Sequence, residues 1–176
     1  KKSKIPQARL HAIFADEGVF GAWIANERNL NVKDPHQAIR KFGIMLLEGF
    51  NPVDRDFVDA LERDADLQVR QQLAYSLNGP TFDFRANRLV RLLSENADNP
   101  YILAAGLSSI SKEAAGGIRW KDAVVELLKQ EKIPAPLFAP SMRMANAIGE
   151  PLDSTKLFVR QLDAQEKLPN EQQFAS

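Results

Sequence analysis

Two histidines, His11 and His36, are the chain's only imidazoles, and the chain has no cysteine. A catalytic zinc site needs three side-chain ligands, and a helical one places two histidines four apart around a glutamate. His11 and His36 stand twenty-five residues apart with no such spacing, so a metal or acid–base role through Asp16 or Asp34 is outweighed by a structural one. Ser108, Ser109 and Ser111 surround Ile110. A nucleophilic serine needs a strained exposed turn and a nearby base, whereas these sit in a helical pattern where small residues let helices approach. Asp64 and Asp66 lack the spacing of a calcium loop and read as helix caps. Arg85, Arg88 and Arg91 share one face of a helical stretch and could hold a phosphate or an acidic partner, with Asp83 and Glu95 diluting their field. Gly116-Gly117 follows no strand and lacks a phosphate-loop fingerprint. No residue pattern here calls for a cofactor.

The elements that carry these residues repeat. DPHQAIRKFGIMLL from Asp34 to Leu47 returns thirty residues later as DADLQVRQQLAYSL from Asp64 to Leu77. Both open on Asp, place Ile39 or Val69 at plus five and Arg40 or Arg70 at plus six, and close on leucine. A degenerate copy starts at Asp98, thirty-four residues on, with Leu103 at plus five and Ala104 in place of arginine. Arg9 precedes Arg40 by thirty-one residues, which makes PQARLHAIFA the second helix of a first repeat, with Arg9 pointing outward. Recurrence at this period signals stacked supersecondary units. Asp-Pro at 34–35 and Asn-Pro at 51–52 and 99–100 read as helix starts, with Gln37 completing a capping box after Asp34.

Apolar stripes at three- and four-residue spacing follow each start. The predicted core includes Ile39, Phe42, Leu46 and Leu47, then Val69, Leu73, Ala74 and Leu77, then Leu89, Val90, Leu92 and Leu93, with Trp23 and Trp120 also inward. Pro134, Pro136 and Pro140 are expected to interrupt the chain before a short helix over 141–148. A last helix is expected over 152–165 and a fraying tail over 168–176. The expectation is an all-α fold: one domain over 1–176, an α-α superhelix of about nine or ten short helices, each needing its neighbours for stability. Its clearest repeats lie at 34–112.

Charge narrows the partners. Twenty-three basic residues balance twenty-three acidic ones, which removes the broad electropositive footprint of a nucleic-acid binder. No apolar run is long enough for membrane insertion.

Paired helices with an Asp-x-x-x-x-[Ile/Val]-Arg opening resemble HEAT repeats, on Asp34, Ile39 and Arg40 and on Asp64, Val69 and Arg70. ARLHAIFADEGV and the two repeats after it also look like the HEAT-repeat region of large secreted planctomycete and verrucomicrobial proteins, where a membrane-bound dehydrogenase-type propeller commonly precedes and a c-type cytochrome often follows. That resemblance implies a piece of a multidomain redox protein, periplasmic or secreted, in which the helical region is a spacer and docking surface. The haem motif Cys-x-x-Cys-His is absent, so no redox residue carries over. The HEAT resemblance further implies that second helices line the inner face. The expected function is non-catalytic: binding of a protein partner or a neighbouring domain of the same chain, through Lys41, Met45, Gln71, Gln72 and Tyr75. Two other readings stay open: a nucleic-acid-processing enzyme of the helical DNA glycosylase type, and a relative of the bilin lyases.

Overall fold

The computed structural model describes residues 3–20, 32–48, 55–79, 84–112, 117–149, 155–157 and 159. Among them the chain is all-α, as its periodicity predicts, apart from one pair of two-residue strands. The helices are α1 (Pro6–Phe20), α2 (Gln37–Leu47), α3 (Arg55–Glu62), α4 (Leu67–Ser76), α5 (Arg85–Glu95), α6 (Pro100–Ser108), α7 (Trp120–Leu128) and α8 (Ala135–Ala147). Strands β1 (Ile110–Ser111) and β2 (Ile118–Arg119) pair in parallel between α6 and α7. No helix among the described residues is long and apolar enough to cross a membrane. The chain divides into two compact units, Lys1–Phe84 and Arg85–Ser176.

In the first unit α2 packs between α1 and α4, and α3 packs against α4. Ile39, Ile44 and Leu47 of α2 are buried with Val58 and Leu61 of α3 and Val69, Leu73, Ala74 and Leu77 of the α4 segment. Of the stripe predicted on α2, Ile39 and Leu47 are buried, but Phe42 and Leu46 are half-buried and Ile44 is fully buried. Phe42 instead stacks on Phe14 of α1, ring centroids 4.3 Å apart. Helix α1 also outruns its expected end near Ala15, passing through Gly18 to Phe20. Trp23 and Ile24 of the expected Phe20, Trp23 and Ile24 stripe and the Asn51-Pro52 start fall outside the described residues.

Helix starts follow the sequence in type but not always in position. Asn99 accepts hydrogen bonds from the Tyr101 and Ile102 amides, with Pro100 at the first helical position, as expected. Asp66 caps α4 by accepting from the Gln68 amide at 2.8 Å. At α2 the cap is His36, whose Nδ1 accepts from the Ala38 amide, and Gln37 opens the helix in place of closing a capping box.

The second unit is built on α5, α6, α7 and α8. Leu89, Val90, Leu92 and Leu93 are buried as predicted, and so is Arg88, which leaves the polar face expected of it beside Arg85 and Arg91. Ile110 belongs to β1, where it pairs with Ile118, and both are buried. Trp120 is half-buried at the start of α7. The expected break at the prolines is a helix instead. Pro136 lies in the first turn of α8, where no amide is needed. Pro140 removes a single internal bond. Burial of Leu137, Ser141, Met144 and Ala145 along one face offsets that loss. Of the last expected helix, Leu157 is fully buried, whereas Leu162 and the tail over 168–176 lie outside the described residues.

Candidate functional site

The repeated Asp and Arg positions form one bonding pattern in the first unit. A side-chain oxygen at each repeat start accepts the amide two residues on: Asp34 Oδ1 from His36 at 2.8 Å and Asp64 Oδ1 from Asp66 at 2.9 Å. The arginine six residues later donates Nη1 back to the carbonyl of that same residue, Arg40 to Asp34 at 2.9 Å and Arg70 to Asp64. Its Nε and Nη2 then grip the aspartate of the following repeat. Arg9 holds Asp34 at 2.9 and 2.8 Å, and Arg40 holds Asp64 at 2.7 and 2.8 Å. Such a two-pronged guanidinium–carboxylate contact fixes direction as well as distance. It lays α1, α2 and α4 side by side with their amino ends aligned.

Arg9 is therefore turned inward to Asp34, not outward. Ser3 occupies the position of Asp34 and Asp64: its Oγ accepts the Ile5 amide at 3.2 Å, and its carbonyl accepts Arg9 Nη1 at 2.8 Å. The sequence marks this first copy by Arg9 but obscures its start, because serine accepts an amide as aspartate does but is not acidic, and because Ala8 stands where Ile39 and Val69 stand.

Burial tends to raise the Asp34 carboxyl. The Arg9 hydrogen bond, the His36 amide and the Arg9 charge outweigh it, so Asp34 titrates below its ordinary range. For Asp64, burial is likewise overcome by the hydrogen bond from Arg40, the Asp66 amide and the charges of Arg40 and Arg70. Both carboxylates are engaged in packing bonds between helices. No group of three or more metal-ligating side chains occurs among the described residues.

With the arginines at a fixed offset, the outer side of the same helices can be read in register. Five residues after Arg9, Arg40 and Arg70 come Phe14, Met45 and Tyr75, exposed by 51%, 47% and 47%. Three large apolar side chains thus recur at one position on three adjacent helices. Beside Met45 lies an open groove of about 300 Å³. Leu10 of α1, Lys41, Phe42 and Met45 of α2 and Gln68 of α4 contribute to its walls.

The predicted contact residues divide here. Lys41 and Met45 line the groove, Tyr75 is exposed at the equivalent site on α4, and Gln71 is half-buried. Gln72 has a packing role. Its Nε2 donates to Ser76 Oγ at 3.2 Å, and Ser76 in turn donates to Glu48 Oε1 at 2.5 Å. Phe14 and Leu10 were missed, although counting five and one from Arg9 finds both.

A second concavity of about 570 Å³ lies at the amino ends of α1 and α2, lined by Lys4, Arg9, Asp34 and His36 among others. Its Arg9 and Asp34 are already bonded to each other. His11 is exposed on α1, apart from His36 at the α2 cap.

No family model, no curated protein and no solved structure matches the chain.

Proposed function

We propose that the chain is a non-catalytic, HEAT-like helical-repeat module that binds a protein partner, or a neighbouring domain of its own chain, through the face carried by α1, α2 and α4. The reading includes stacking of the repeats into an α-α superhelix. The observation that supports it best is the row Phe14, Met45 and Tyr75. Side chains of this size at the surface are costly to leave in water, and aromatic residues contribute disproportionately to protein interfaces. Their recurrence at one repeat position repeats an exposed apolar side chain from helix to helix, and clustered exposed apolar side chains mark interaction sites. The polar residues of the repeat support the same reading from the other side. Asp34, Arg40 and Asp64 hold helices in register, so the surface they leave exposed is where binding is to be sought.

Site-directed photocrosslinking tests this. A photoreactive amino acid is placed at Met45 or Tyr75, and for comparison at Ala60 on the exposed side of α3. The expected result is a discrete protein adduct from Met45 and Tyr75 and none from Ala60. Adducts from Ala60 alone would move the interface to the opposite side and end the proposal.

A further inference from the structure

We draw no further inference here: the strongest candidate, the exposed row of Phe14, Met45 and Tyr75 on α1, α2 and α4 with the groove beside Met45, is an unpartnered apolar face that belongs to the site already described, and nothing in the structure shows what covers it.

Discussion

Arg40 spans the boundary between two repeats to hold Asp64, with Nε and Nη2 on opposite carboxylate oxygens at 2.7 and 2.8 Å. Both side chains are largely withdrawn from water, at 17% and 9% exposure. Nη1 remains, and it reaches back to the carbonyls of Asp34 and Pro35. One guanidinium thus ties three segments together.

Removing one end should therefore cost more than an exposed ion pair. Arg40→Ala leaves Asp64 partly buried without its cation and strips two carbonyls of a donor, so a loss of about 2–4 kcal/mol is expected. Asp64→Asn keeps an oxygen for the Asp66 amide and should cost less. Urea denaturation of both single variants and the double variant gives the coupling energy. A coupling indistinguishable from zero would show that the pair does not hold the repeats together.

The same bonds set a pH dependence. Asp34 and Asp64 both titrate below their ordinary value of 3.8. A carboxyl whose pKa is lower in the folded state contributes stability that is complete above the unfolded value and lost as pH falls through the folded one. The urea midpoint should thus be flat from neutrality down to the ordinary carboxylate range and fall below it. Asp34→Asn should start lower at neutral pH and show a shallower acid limb. An acid limb of unchanged steepness would place the responsible carboxylates elsewhere.

The Arg–Asp pattern also shows what was legible in the sequence and what was not. Periodicity was enough for the all-α class and for most of the buried stripe on α4 and α5, because burial of one helix face leaves a direct trace in residue type. On α2 it was right for Ile39 and Leu47 but misplaced the rest, where Ile44 and not Leu46 is fully buried. Phe42 is drawn out of that stripe toward Phe14, a contact between segments that no local pattern encodes. Helix starts erred for a related reason. Asp34 was available as a cap, yet its oxygens are taken by Arg9 and the His36 amide, and the cap passes to His36. The second half of α8 was expected as a short helix over 141–148, but its proline-bearing first part was missed because the compensation lies in burial of Leu137 and Met144. The exposed row was legible throughout by offset: Met45 and Tyr75 follow from the two clear repeats, and Phe14 stands at the same distance from Arg9, in a copy whose start is obscured by Ser3 in the place of an aspartate.

Gly106 in α6 lies against α5. A methyl group there would stand 2.5 Å from Leu93 Cδ2 and 3.1 Å from Leu89 Cδ1. Both leucines are buried, so their ends have little room to yield. Alanine gains helix propensity of about 1 kcal/mol, but overpacking costs about 1–3 kcal/mol. Gly106→Ala should therefore destabilise by about 1 kcal/mol, the difference between those two effects. The combination with Leu93→Ala should cost less than the sum of the separate changes, because the methyl enters the space the leucine leaves. Strict additivity in thermal melts would mean that the two side chains do not compete for that space.

Leu73 and Tyr75 are neighbours on α4 with opposite duties. Leu73 is fully buried between α2 and α4, whereas Tyr75 is half-exposed in the row with Phe14 and Met45. Leu73→Ala should cost about 2–5 kcal/mol through lost burial and the cavity left behind. Tyr75→Ala should change stability by less than about 1 kcal/mol, since an exposed ring contributes little to the core. The binding readout should invert this order: Tyr75→Ala loses crosslinking at Met45 while its melting curve overlays that of the unaltered protein. A Tyr75→Ala variant that melts as early as Leu73→Ala would make the ring a packing residue and remove it from the candidate interface.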